Sequence, residues 1–324
     1  MSATRPTVLI PGNINARVRE RVEAEFDAVA IASADASLMD AEARAKISGI
    51  ACSTAINADF IDAFPNLSII ASFGVGYDAV DAKHAASRGV MVSNTPDVLS
   101  DEVADTTVGL LLNTLREFPK AEAYLRAGRW AAEGAYPLTP LTLRGRTVGI
   151  FGLGRIGLSI AQRLEAFGLP IHYHTRTKRN DVDYPWHDSL ASLAAAVDTL
   201  IVVVPGGAAT EKAVNAEILG ALGPNGVLIS VGRGSTIDEP ALIAALAERM
   251  IAAAGLDVFA DEPNVPQALM DLPNACLLPH VASASVSTRN AMADLVVDNL
   301  AAWLDGRPAL TPVPECAALD RKPS

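Results

Sequence analysis

The stretch Thr147-Val148-Gly149-Ile150-Phe151-Gly152-Leu153-Gly154-Arg155-Ile156-Gly157 decides the fold. The apolar run over 147–152 reads as a strand, and residues 156–167 read as the helix that follows it. Between them lies a G-x-G-x-x-G motif. Alone the motif is common; set between a strand and a helix start it marks a dinucleotide-binding turn. Gly152 permits the tight turn, Gly154 lets a pyrophosphate reach the backbone, and Gly157 lets helix and strand pack closely. Amides at the helix start face the phosphates. Gly152, Leu153, Gly154, Arg155, Ile156 and Gly157 are therefore the expected cofactor cradle. A glycine-rich turn with no ligand is the plainer alternative, which the flanking pattern disfavours.

On both sides of this unit, short Val/Ile-rich runs alternate with Ala-rich helical stretches. Candidate strands are 8–11, 49–53, 67–73, 90–93, 171–174, 199–204, 226–231, 252–257 and 276–279. Most are continuously apolar, as expected of parallel strands covered by helices on both faces. The alternation predicts an α/β fold with doubly wound parallel sheets. Residues 101–129 read as one long helical region, with Asp101 and Glu102 favouring its start. Gly134, Pro137 and Pro140 mark a loop after it, and residues 286–304 read as a last helix before a proline-rich tail over 307–314. With about 100–200 residues per domain, 324 residues predict two domains. We expect one domain from residues 1–100 with 286–324 and a second from 101–285, with a cleft where the chain crosses twice.

Composition narrows the function classes. Half the residues are hydrophobic and 19% are charged, enough for sizeable cores. A net charge of −11 argues against a nucleic-acid partner or an anionic membrane surface. No stretch approaches the ~20 apolar residues of a membrane span. The N-terminus lacks the pattern of a signal peptide. The three cysteines, Cys52, Cys276 and Cys316, lie far apart and without C-x-x-C spacing. They predict reduced thiols, a cytoplasmic location and no metal site.

About 20 residues past the glycine motif, NAD-specific folds place an acid on the ribose 2′-hydroxyl. Here the chain reads His174-Thr175-Arg176-Thr177-Lys178-Arg179, with no acid before Asp181. Arg176 flanked by Thr175 and Thr177 suits a 2′-phosphate, which a guanidinium binds in a fork. NADP(H) is expected over NAD(H), with Lys178 or Arg179 able to share the phosphate; a solvated charge run is the alternative. Three more segments follow predicted strands: Ser230-Val231-Gly232-Arg233-Gly234, Asp257 to Pro263 with Glu262, and Leu278-Pro279-His280-Val281-Ala282-Ser283. Carboxyl ends of strands are where open α/β sheets bind ligands. Singly, Arg233 reads as a surface cation, Glu262 as a helix-start acid and His280 as a loop histidine. Their complementary chemistry makes the three together a candidate set.

At this point the sequence resembles the D-2-hydroxyacid dehydrogenase family over nearly its whole length. The resemblance rests on SFGVGYD (72–78), NTPDVLSDEVAD (94–105), GLGRIG, GRG (232–234), DVFADEP (257–263) and LPHVAS (278–283). NTPDVLSDEVADTTVGLLL and HTRT resemble the NADPH-preferring glyoxylate/hydroxypyruvate reductase and hydroxyphenylpyruvate reductase subgroup. The resemblance implies two Rossmann-like domains, the discontinuous one binding substrate. It also implies a homodimer joined through the nucleotide-binding domains, acting on a small 2-keto or 2-hydroxy acid. It assigns Arg233 to the substrate carboxylate, His280 to proton donation and Glu262 to orienting His280 and favouring its protonated form. It implies backbone amides of Val75 and Gly76 on the carboxylate, and Thr106 and Asp257 beside the nicotinamide. Pro205, Thr210, Val231, Gly232 and Ser283 complete the implied cofactor contacts. Trp130 lines the substrate pocket of a second subunit or else belongs to the core.

Two departures stand out: Pro205-Gly206-Gly207-Ala208-Ala209-Thr210 replaces a bulkier loop, and Ser230 stands where many members have Asn. The chain also stops 44 residues after His280 (324 − 280), without a regulatory extension of the serine-regulated phosphoglycerate dehydrogenase kind. Two other readings use the same fold. One is a nucleotide-sensing corepressor-like interaction protein, which the complete Arg233–Glu262–His280 set disfavours. The other is a formate- or phosphite-type dehydrogenase, whose NAD-linked versions the cofactor loop disfavours.

Overall fold

The computed structural model describes residues 5–319. The chain divides into two compact units, Met1–Leu99 with Ser285–Ser324, and Ser100–Ala284. The first carries a sheet of β1 (Thr7–Pro11), β2 (Asp27–Ile31), β3 (Ile47–Cys52), β4 (Ile69–Ser72) and β5 (Met91–Ser93), in the order β2-β1-β3-β4-β5. All neighbours are parallel. Apolar runs in β3, β4 and β5 are almost wholly buried, as the lack of alternation predicts. β2 was absent from the sequence reading. It is an edge strand, and its DAVAI, rich in small alanines, stays partly exposed throughout.

Helices in this unit start where polar caps dictate. Asn15, Asp40, Asn57, Asp81 and Ser285 each accept a first-turn amide with the side chain. The helix Val286–Leu304 lies across the sheet at Gly49, where a Cβ would stand 3.1 Å from Leu300 Cδ2. Asn299, fully buried, ties that helix to the proline-rich tail. Its Nδ2 donates to Leu295 O (2.7 Å) and Thr311 Oγ1 (2.9 Å), and its Oδ1 accepts from the amides of Leu310 (2.9 Å) and Thr311 (3.0 Å). The tail then returns to β5: Thr311 Oγ1 donates to Asn94 O at 2.6 Å, and Pro312 bridges Ser93.

The second unit carries β6 (Val148–Phe151), β7 (Ile171–His174), β8 (Trp186–His187), β9 (Thr199–Val202), β10 (Val227–Ser230), β11 (Ala253–Leu256) and β12 (Ala275–Leu277). They pair in the order β12-β11-β10-β9-β6-β7-β8, all parallel. The order in which strands are added reverses between β6 and β9, the switch point where such sheets leave a crevice. β8 went unread because it is only two residues long.

The single helix expected over 101–129 is broken. The structure has Ser100–Arg116, Phe118–Arg126 and Arg129–Glu133. The breaks fall at Glu117 and Gly128, whose φ values of 52° and 71° are left-handed. Pro119 lies within the first turn of the second helix, where it lacks an amide to continue the first.

We predict that Asn299→Leu destabilises the first unit by about 1–3 kcal/mol, because two partly buried amides lose their acceptor. A lower urea midpoint with unchanged dinucleotide affinity is the expected result; an unchanged midpoint refutes this role for Asn299.

Candidate active site

The glycine loop divides its labour as the spacing requires. Gly152 has φ 103°, and a Cβ there would sit 2.8 Å from Val204 Cγ1. A Cβ on Gly157 would overlap the carbonyl oxygen of Gly152, so the helix presses directly on the turn. At Gly154 nothing lies within 4 Å of the Cβ position. Two glycines thus serve packing, and the third faces open space on the ligand side. Gly154 is also the N-cap of the helix Arg155–Glu165 and supplies no side-chain cap. The amides of that first turn, on Arg155 and Ile156 among others, remain oriented for an anion. These residues fit a dinucleotide pyrophosphate.

The chain after β7 is pinned beside this turn. Arg179 Nη1 donates to Leu153 O at 2.7 Å, and Arg179 Nε donates to Asp181 Oδ1 at 2.9 Å. Tyr173, fully buried, takes the Arg179 amide on its hydroxyl at 2.9 Å. The loop's first acid is therefore engaged by Arg179, which holds the Asp181 carboxyl below its ordinary range. Arg176 and Lys178 are exposed, and Thr175 Oγ1 donates to Thr177 O at 2.7 Å, rounding the turn under Arg176. Sequence reading placed Arg179 among possible phosphate ligands; its bond to the glycine loop depends on tertiary placement.

The loops that leave the carboxyl ends of the parallel neighbours β11 and β12 meet in a hydrogen-bonded pair. Glu262 Oε2 lies 2.7 Å from His280 Nδ1. Glu262 Oε1 accepts the Phe259 amide at 3.0 Å, so both carboxylate oxygens are held. With Nδ1 turned to a carboxylate, that nitrogen carries the proton and Nε2 is the one left for exchange with a substrate. His280 has φ 53°, and its amide donates to Asp257 O (2.9 Å) and Leu278 O (3.1 Å).

Asp257 is fully buried, and its carboxylate accepts the amides of Val281 (2.7 Å) and Ala282 (2.9 Å). Burial pushes its carboxyl above the ordinary range, against the pull of the two amides. Asp257 thus shapes the turn that presents His280. Thr106, on the helix Ser100–Arg116, donates to Ala282 O at 3.1 Å and fixes the same turn from another side. Ser283 follows directly, half-buried.

Arg233 caps the 3-10 turn Gly234–Thr236 after β10, and its Nη1 donates to Gly232 O at 2.8 Å. Gly232 admits no side chain, since a Cβ would stand 2.6 Å from Val204 O. Val231 is buried, and the Ser230 hydroxyl is buried without a hydrogen-bond partner among the described residues. In the 205–210 loop, Thr210 Oγ1 donates to Pro205 O at 2.6 Å and closes the turn. An apolar pocket of about 270 Å³ opens beside Glu262 and His280, walled by Phe259, Val265, Met270 and Leu277.

Val75 and Gly76 lie in the first unit, in the loop after β4. Asn94 Nδ2 holds Val75 O at 2.8 Å. Trp130 is 62% exposed, which rules out the core alternative for it. Among the described residues, no group of three His, Cys, Asp or Glu is arranged to hold a metal, and no helix is long and apolar enough to cross a membrane.

Comparison with known proteins bears on the family. The family model for the D-isomer specific 2-hydroxyacid dehydrogenase NAD-binding domain matches residues 108–282. Hydroxyphenylpyruvate reductase of Plectranthus scutellarioides is 49% identical over 257 residues, covering 79% of this chain and 82% of the relative. Glyoxylate/hydroxypyruvate reductase A of Arabidopsis thaliana is 47% identical over 81% of this chain and 83% of its own. A crystal structure of the NADPH-dependent glyoxylate/hydroxypyruvate reductase of Sinorhizobium meliloti, in complex with NADP and malonate, superposes with a TM-score of 0.95. That protein is 62% identical, and the match covers 99% of this chain and all of the other. By family model, identity and coverage alike, the chain belongs to the D-isomer specific 2-hydroxyacid dehydrogenase family.

Proposed function

We propose that the protein is an NADPH-dependent reductase of small 2-keto acids, glyoxylate or hydroxypyruvate among them, giving the D-2-hydroxy acid. The observation that carries this reading is the Glu262–His280 pair at the strand ends of a sheet whose glycine turn fits a dinucleotide. The relatives support it: one is an NADPH-dependent glyoxylate/hydroxypyruvate reductase, another a hydroxyphenylpyruvate reductase.

The bound nicotinamide supplies the hydride that goes to the substrate C2. Arg233 meets the keto-acid carboxylate and carbonyl oxygen with paired donors, and the amides of Val75 and Gly76 take the carboxylate as well. As the carbonyl oxygen gains charge, protonated His280 donates to it from Nε2. Glu262 on Nδ1 keeps the ring oriented for this step. In the oxidising direction neutral His280 accepts the proton. Arg176, exposed beside the glycine loop, reads the 2′-phosphate with Thr175 and Thr177.

We further infer a cytoplasmic homodimer. Leu125 (54% exposed), Trp130 (62%) and Leu138 (98%) are exposed apolar side chains of the kind a second copy would cover. The acidic balance supports the absence of nucleic-acid and membrane partners.

Initial rates with glyoxylate, hydroxypyruvate, pyruvate and phenylpyruvate, each with NADPH and NADH, test the reading. Absence of turnover with every 2-keto acid would leave a nucleotide-binding interaction protein instead. His280→Ala is expected to lower kcat by about 10²–10⁴-fold while leaving NADPH affinity nearly intact. Near-normal turnover would remove His280 from the mechanism. Arg176→Ala is expected to weaken NADPH by about ten- to a hundredfold and barely change NADH. Titration of both cofactors checks this, and equal losses for the two would sink the assignment.

A further inference from the structure

Glu239 is a buried carboxylate that the proposed chemistry does not use. It is 8% exposed and opens the helix Glu239–Ala247. It is not needed as the helix cap, because Asp238 already accepts the Ala241 amide. Burying a carboxylate is costly unless it is hydrogen-bonded. Its partner lies 21 residues away: Oε2 accepts the amide of Ala260 at 3.2 Å.

The peptide unit it grips is also gripped from Gly234. A Cβ on Gly234 would overlap the carbonyl carbon and oxygen of Phe259, so the two backbones touch directly there. The Phe259–Ala260 peptide is therefore bounded by Gly234, next to Arg233, and by the Glu239 carboxylate. On the other side of Phe259, its own amide donates to Glu262 Oε1 at 3.0 Å, while Glu262 Oε2 meets His280 Nδ1 at 2.7 Å.

We propose that Glu239 is a positioning residue for the Glu262–His280 pair, acting through the Phe259–Ala260 backbone. With the Ala260 amide released, that peptide is free to tilt, the Phe259 amide tilts with it, and Glu262 loses one of its two anchors. The same contact couples the Arg233 loop to the Glu262 loop. The carboxylates facing this turn are Glu262 on the His280 ring and Asp257 on the Val281 and Ala282 amides; Arg233 is the cation on the adjoining loop. This inference rests on the proposed roles of His280 and Glu262.

The test compares Glu239→Leu and Glu239→Ala with Glu239→Gln in the full-length protein. Its readouts are kcat and KM for glyoxylate with NADPH across pH, and NADPH affinity by direct titration. The leucine variant fills the volume without an acceptor, and the alanine variant serves if leucine does not fold. Either is expected to lower kcat by about tenfold, in line with the sensitivity of catalysis to small misplacements, with NADPH affinity within about twofold. The upper-pH limb of reduction moves as well, because a displaced Glu262 no longer holds Nδ1 of the ring.

Glutamine keeps an oxygen for the Ala260 amide and is expected to restore both kcat and profile. Added to Glu262→Gln, which moves the limb by itself, Glu239→Leu is expected to move it no further. If Glu262→Gln moves the limb and the acceptor-free Glu239 variants do not, or if glutamine behaves like leucine, the positioning role is overturned. Failure of every acceptor-free variant to fold, with a fully active glutamine variant of unaltered profile, makes Glu239 a structural acceptor only and also overturns it. An unmoved limb in Glu262→Gln alone takes down the orienting role of Glu262, and this inference with it.

Discussion

All seven strands of the second unit run in one direction, so their carboxyl ends meet along a single edge. Everything chemically active in that unit follows from this constraint. The glycine turn leaves β6, the threonine–arginine loop leaves β7, Arg233 follows β10, Glu262 follows β11 and His280 follows β12. Groups that leave different strands therefore share that edge, and Glu262 and His280, from neighbouring β11 and β12, come within 2.7 Å of each other. The Val/Ile-rich strand interiors supply the burial that holds the edge rigid.

On that edge, close backbone approach does what side chains do elsewhere. Gly152 and Gly157 let a turn, a strand and a helix touch, and Gly232 and Gly234 let the Arg233 loop settle against its neighbours. Carboxylates then lock the loops: Asp257 holds two successive amides of the His280 turn, and Glu262 holds one amide and the imidazole. Their environments differ in kind. Asp257 is sealed from solvent and acts on backbone, whereas the Glu262 and His280 side chains are 34% and 46% exposed and stand where a substrate can reach them.

The loop after β7 shows how a charge run acquires distinct parts. Sequence reading singles out Arg176 for the phosphate and leaves Lys178 or Arg179 able to share it. In the folded chain Arg179 is drawn back to Leu153 O and to Asp181, and the buried Tyr173 fixes its amide. Arg176 and Lys178 remain outward. A site that reads a 2′-phosphate needs such a division, because a loop free to collapse would lose more on ordering than a single ion pair returns.

Legible in the sequence are the α/β class, the strand–glycine–helix unit at 147–157, ten of the twelve strands among the described residues and the residue types at the strand ends. These are local properties: apolar runs, glycine spacing and helix starts are written in consecutive residues. It did not reveal the edge strands at 27–31 and 186–187, whose pairing depends on a neighbour rather than on their own hydrophobicity. It did not reveal the breaks at Glu117 and Gly128, or the exposure of Trp130. Only the tertiary structure joined Glu262 to His280, set Arg179 on Leu153, and brought the buried Glu239 to an amide 21 residues away. Hydrogen bonds form over about three ångströms, and distances of that size between remote residues are set by how strands order in a sheet, which no single stretch of chain encodes.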